Sequence, residues 1–290
     1  MTNETKENKT LPTVIYSPAS GLRSPKVMAQ QMWRDLIDSR ELAWRLTIRD
    51  ISAQYRQSLM GILWAFFPPI ATALIFIVLN NRKIINIGET DIPYPAFAMF
   101  GTVLWQIFIE SLNSPLKVVT KSKKMISKIN FPREALILSA FEQTLFSLFI
   151  KLLILIAVFI FFQIPITWYT LLCLPAILIL MLLGLTFGLL LTPAGILYTD
   201  ITQGLTIITG LWFFITPVVY PPPTSFPFSL LTIINPVGPI LTGARDLACK
   251  GVLNNPIPFF IITFLMFVFL IIAWIIYKLT LPILIERMNT

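Results

Sequence analysis

Six apolar stretches, each close to the length of a bilayer crossing, constrain this chain more than anything else in it. They cover residues 61–80, 95–116, 135–162, 170–191, 205–220 and 256–277. A helix needs about 20 apolar residues to cross a hydrocarbon core ~30 Å thick. Of the 290 residues, 56% are hydrophobic and 12% are charged, where an average soluble domain carries about 25% charge. The sequence therefore predicts an all-α membrane protein with six transmembrane helices, and it excludes a soluble enzyme or a disordered chain.

Basic residues orient these spans. Nine precede the first span, six lie between the second and third, and two follow the last. Only Arg82, Lys83, Arg245 and Lys250 fall on the opposite side, and Lys151 lies within the third span. The positive-inside rule then places both termini in the cytoplasm. The net charge of +8 is this asymmetry, and not a nucleic-acid site. Residues 1–32 have no apolar core of signal-peptide length and read as a cytoplasmic tail.

Chemistry is sparse. There is no histidine, which removes imidazole acid–base catalysis and imidazole metal ligation. Cys173 and Cys249 stand 76 residues apart, form no CxxC and read as inert thiols, so no metal site is expected. No GxxxxGK[ST] loop is present to cradle a nucleotide phosphate. Glu110, Glu142 and Lys151 are ionisable groups inside spans. Glu110 and Lys151 are within snorkelling reach of an interface, and Glu142 is expected to face other helices.

Four segments stand out. Residues 33–51 read as an amphipathic helix at the membrane surface, with Trp33, Leu36, Ile37, Ala43, Trp44, Ile48 and Ile51 on one face. Arg34, Asp35, Asp38, Glu41, Arg45 and Arg49 occupy the other. That helix either anchors the chain or moves with the first span. The basic loop 117–134 mixes lysines with Met125 and Ile129, four apart, and ends in Asn130-Phe131-Pro132. A short helix over residues 120–129 would offer that apolar pair to a groove on a soluble partner. The fifth span ends in TPVVYPPP, which cannot continue as a helix. Residues 221–255 therefore read as short re-entrant helices before the last span. Finally, Trp64, Phe67, Trp105, Phe108, Tyr198, Trp212, Phe213, Phe214 and Tyr220 lie near span ends. Such rings stack on sugars, and they also simply fill membrane interfaces.

The stretch LTIRDISAQYRQSLMGILWAFFPP resembles the start of ABC type-2 exporter permeases that move bacterial surface polysaccharides, through Arg49, Asp50, Tyr55, Ser58, Gly61, Trp64 and Pro68. INFPRE (Ile129 to Glu134), FFITPVVYP (Phe213 to Pro221) and Asn235-Pro236 followed by Arg245 are similar to later landmarks of that family. One departure is Tyr198-Thr199-Asp200, where the family often has Tyr-Arg-Asp.

The resemblance implies a half-transporter. A second copy of the chain and two copies of a separate ATPase would complete it, and ATP and Mg2+ would bind to that ATPase. This chain would need no cofactor and catalyse nothing. Lys121, Lys123, Lys124, Met125, Lys128, Ile129, Phe131, Pro132, Arg133 and Glu134 would form the coupling loop. Trp33, Arg34, Ile37, Trp44, Arg45, Arg49 and Asp50 would belong to an interface or gate helix. The substrate would be a lipid-linked glycan, with lipopolysaccharide O-antigen favoured over capsule or teichoic acid, crossing the bacterial inner membrane. It would pass the aromatic residues just named. An ion-coupled secondary transporter is the rival from another class, and it would want carboxylates in the spans.

Overall fold

The structure is a computed structural model. It describes residues 25–288, apart from residues 57–58, 86, 127, 129–130, 199, 224–225, 227–228, 230–231 and 233. Expectations for the tail before Pro25, for Ser58 and Thr199, and for Ile129 and Asn130 in the basic loop lie outside the described residues. Those residues hold helix and no strand, as a chain that must satisfy its backbone inside lipid requires.

Nine α-helices are described. They are α1 (Pro25–Asp38), α2 (Arg40–Arg56), α3 (Phe67–Asn81), α4 (Tyr94–Ile126), α5 (Glu134–Phe161), α6 (Cys173–Leu197), α7 (Asp200–Ile215), α8 (Val237–Cys249) and α9 (Pro256–Met288). Two 3-10 turns, Gly61–Ala65 and Trp168–Leu172, precede α3 and α6.

Four stretches are long and apolar enough to cross a membrane: Tyr94–Lys123, Glu134–Phe161, Trp168–Leu197 and Pro256–Leu281. The other two expected spans are shorter apolar helices, Phe67–Asn81 and Asp200–Ile215. At 1.5 Å per residue, the 15 residues of α3 reach about 22 Å, less than the ~30 Å core. The causes are local. Gly61 takes a positive φ of 49°, the chain turns as a 3-10 helix, and the prolines at Pro68 and Pro69 suit the first turn of α3. Helix α7 stops two residues short of Pro217, which has no N–H to continue it.

Three further boundaries differ from expectation. The amphipathic segment is two helices that meet at Ser39, where the Ser39 hydroxyl donates to the Leu36 carbonyl at 3.0 Å. Its first helix already begins at Pro25, inside the expected tail. Residues 120–126 of the expected short helix are the last part of α4, because lysine-rich turns extend a helix readily and no glycine interrupts them.

Helix α4 is the centre of the bundle, with α3, α5 and α6 against it. Its approach to α6 needs Gly184 and Gly188, a small-xxx-small pair. A Cβ at Gly184 would sit 2.6 Å from the Phe108 carbonyl oxygen, and one at Gly188 would strike the Leu112 carbonyl and Pro115. Helix α9 packs on α6, and α8 fills the angle between α6 and α9.

Candidate functional site

Polar side chains gather where α2 and α4 meet α5. Thr47 donates to Glu142 at 2.7 Å and lies 3.0 Å from the Ser139 hydroxyl. Gln143 donates to Asp50 and to Ser139, both at 3.2 Å. Arg49 holds the buried Asp50 carboxylate at 2.9 Å. About two turns further along α5, the wholly buried Lys151 ammonium bonds Glu110 of α4, and Ser147 donates to the same carboxylate. Lys151 also reaches the Ser147 hydroxyl at 3.0 Å. Snorkelling is thus replaced by an ion pair between spans, since a buried ammonium must be paired and hydrogen-bonded.

A cleft of about 260 Å³ opens beside this network, with Tyr55, Trp64, Glu110, Asn113, Lys117 and Gln143 in its wall. Its elements are α2, the Gly61–Ala65 turn, α4 and α5. Of these residues only Trp64 was singled out by sequence as a candidate for a substrate path.

At the end that carries the basic loop, Lys278 of α9 lies 2.7 Å from Asp35 of α1 and 2.9 Å from Glu134 at the start of α5. Glu134 is 4% exposed, so this member of the expected coupling loop faces the bundle interior. Met125 and Phe131 are partly buried against the chain's own core, and Pro132 and Arg133 are half-buried. Lys121, Lys123 and Lys128 are exposed, and Lys124 lies on the last turns of α4.

The amphipathic pair α1–α2 has three faces where two were expected. Trp33, Ile37, Trp44 and Ile48 form an exposed apolar stripe. Ala43, Leu46, Thr47 and Asp50 are buried, on the side where α2 packs against α5. Arg34–Asp38 at 3.8 Å and Arg45–Glu41 at 2.6 Å are exposed pairs one turn apart.

The expected aromatic path divides in two. Trp212 and Phe213 meet Trp105 edge-on, as Trp212 meets Phe108, with centroids 5.4 to 6.4 Å apart. Trp105 is tilted on Phe108 at 5.4 Å, and this cluster packs the interior between α4 and α7. Trp64, Phe67, Tyr198 and Phe214 are exposed, with Trp64 edge-on to Phe67 at 5.7 Å. Tyr220 donates to the Phe214 carbonyl at 2.7 Å. Beyond α7, Asn235 knots the broken chain. It accepts from the Trp212 indole and from the Val237 amide, each at 3.0 Å, and donates to Thr216 at 2.8 Å. Arg245 caps the Pro217 and Val218 carbonyls at 3.3 and 2.5 Å over the Phe97 ring. Of the expected re-entrant helices, α8 is the one described as a regular helix. Just past it, Lys250 pairs with Asp91 at 2.8 Å, and this hydrogen bond raises the Lys250 amine above its ordinary range.

Sequence reasoning missed both ion clusters. Glu110 and Lys151 stood alone in apolar runs with opposite signs, a cue to pairing across helices. Lys278 gave no such cue, because a lysine at the end of an apolar run also fits a simple orientation signal. No group of three or more cysteine, aspartate or glutamate side chains among the described residues could hold a metal.

A family model described as ABC-2 type transporter matches residues 41–248. The chain is 28% identical over 214 residues to the O-antigen export system permease protein RfbA of Myxococcus xanthus, covering 72% of this chain and 80% of that protein. Two proteins of the same name from Klebsiella pneumoniae are 26% identical over 216 residues, with the same coverage.

Proposed function

This chain belongs to the ABC-2 type transporter family, and from that premise we propose that it is the membrane subunit of an ATP-driven exporter of a lipid-linked surface polysaccharide, O-antigen foremost. The observation that carries this reading is the agreement of three relatives named as O-antigen export permeases along most of their length. The absence of a phosphate-binding loop fits a division of labour in which a separate ATPase binds ATP and Mg2+. Two copies of this chain and two of the ATPase make the transporter, in the bacterial inner membrane with both termini cytoplasmic. This chain then binds no cofactor and performs no covalent step.

Six crossings follow if α3 with its preceding turn and α7 are counted. These helices are short, and Leu74, Ile75 and Val78 of α3, like Ile207, Ile208 and Leu211 of α7, are exposed. A second copy would cover such faces. The exposed lysines 121, 123 and 128 would meet the ATPase, and movement there would pass through Glu134 and Lys278 to α1. In the ion-coupled alternative, a carboxylate within the spans must be free to load a cation. Glu110 is already neutralised by Lys151, which weighs against that class.

The test is deletion and complementation. Loss of this chain should strip the host's surface glycan, and the tagged chain should co-purify with an ATPase in a two-to-two complex. Surface glycan that persists in the deletion strain would refute the polysaccharide reading.

A further inference from the structure

We propose that the cleft between α2, the Gly61–Ala65 turn, α4 and α5 is a binding site for a single pyranose ring of a glycan. The inference rests on the polysaccharide reading above and adds a place and a set of contacts to it.

The first argument is depth. Glu110 lies 16 residues beyond Tyr94 on α4, about 24 Å along the helix axis, and Lys117 lies about 10 Å further. Both stand within the stretch Tyr94–Lys123 that is fit to cross a bilayer. Glu110 nevertheless keeps 41% of its side chain exposed, and Lys117 is exposed too. A carboxylate about 24 Å along a helix that crosses a core ~30 Å thick does not face acyl chains. Lys117 stands beyond the core at its edge, so the cleft is a wet space that reaches inward from the interface.

The second argument is chemistry. Gln143 uses its amide N–H groups on Asp50 and Ser139, which leaves its carbonyl oxygen as an acceptor. Asn113 donates to the Ile109 carbonyl at 2.8 Å, which leaves its own Oδ1. Glu110 is charge-balanced by Lys151 and Ser147 through one oxygen, so its other oxygen accepts without attracting a free cation. Lys117 forms no salt bridge with a described carboxylate and donates. The wall therefore sets several acceptors beside one cationic donor, which suits hydroxyls better than a free cation. Trp64 and Tyr55 add ring faces for the apolar side of a sugar. Tyr55 is itself braced by Phe146 at 6.2 Å between centroids.

Size is the third argument. Pockets for drug-sized ligands run from about 300 to 1,000 Å³. A cleft of about 260 Å³ therefore holds one ring and not a stretch of polymer. A polymer would pass it one unit at a time.

The experiment uses the full chain with its partner ATPase in the glycan-producing host. A benzophenone amino acid replaces Gln54 or Ala65, both on the wall of the cleft, or Phe264 on the outer face of α9, which is 68% exposed. After illumination, adducts are stained for carbohydrate by periodate oxidation and hydrazide capture. Carbohydrate adducts at positions 54 and 65, at least tenfold above position 264, are expected. In the position-65 background, Trp64→Leu should reduce the adduct about tenfold and Trp64→Phe should retain it. Asn113→Leu should also reduce it, with membrane level and ATPase co-purification unchanged, because among the described residues Asn113 bonds only the Ile109 carbonyl of its own helix. Trp64 is exposed, so its replacement tests the site without threatening the fold. Adducts that carry lipid alone, or carbohydrate adducts indifferent to Trp64→Leu, would overturn the assignment. If the deletion strain loses its surface glycan and no carbohydrate adduct forms, only the cleft assignment falls. If that strain keeps its glycan, the underlying reading falls first.

Discussion

Helices α4 and α9 are both 33 residues long, yet they solve opposite problems. In α4, 72% of the apolar stretch is buried inside the protein, and in α9 only 17% is. The least buried span is nevertheless the more apolar one. A soluble protein would reverse that order, because water makes exposed apolar surface costly. Here lipid tails are the outer solvent, and hydrophobicity reports exposure to lipid rather than burial. The buried helix can therefore carry Thr102, Ser111, Ser114 and Glu110, each held by a hydrogen bond or ion pair. The exposed helix presents Phe260, Phe264, Ile271 and Ile272 outward.

That contrast can be broken most severely at Lys151. Glu110→Leu leaves a wholly buried ammonium unpaired and should cost about 3–5 kcal/mol, read as a collapse of thermal stability in detergent. Lys151→Met should cost much less, because the stranded Glu110 still reaches solvent. The double variant should recover most of the loss, since two apolar groups can replace a pair at little net cost. Equal losses for the two single variants would contradict the burial difference.

Gly188→Leu should come next. Its side chain would strike the Leu112 carbonyl and Pro115 and force α4 and α6 apart, at about 2–3 kcal/mol. Yield of monodisperse protein on size exclusion is a sufficient readout.

Lys278→Met should have a smaller effect, about 2 kcal/mol, because hydrogen bonds to charged groups are the stronger kind. It should also free α1, so that proteolysis near Ser39 quickens severalfold while cleavage near α9's outer end does not. An unchanged digestion pattern would mean that the Asp35–Lys278–Glu134 cluster does not hold α1 in place.

Phe264→Leu should sharpen the comparison by doing almost nothing, within about 0.5 kcal/mol. It exchanges one lipid-facing apolar side chain for another. A loss as large as that of Gly188→Leu would show that α9 is buried in the assembled protein.

Much of the fold was legible. Four spans follow from run length alone, and the break after α7 follows from Pro217. The ends of α3 and α4 were not legible. Apolarity continues through residues 61–66, so run length hides the start of α3, and only the proline pair Pro68-Pro69 marks it. Lysines after residue 117 suit both a helix and a polar loop, so α4 outran its expected end. At the candidate site the chemistry was harder to read. Trp105 and Trp64 look alike as aromatics near span ends, yet one is 5% exposed and the other 54%. Only the neighbouring helices make that difference.

Sequence by itself determined that this chain resides in a membrane, that its basic residues gather at alternate loops, and that the helix before Pro217 breaks there. These are local consequences of transfer energy, charge and backbone geometry. Tertiary structure alone decided that Lys151 meets Glu110, that Lys278 meets Asp35 and Glu134, and that Asn113 and Gln143 share one cleft. Those partners lie 41, 243, 144 and 30 residues apart, beyond the reach of any helical period. The meeting of two such groups depends on how helices rotate and pack, and in this bundle the glycines of α6 and the polar face of α5 settle that rotation.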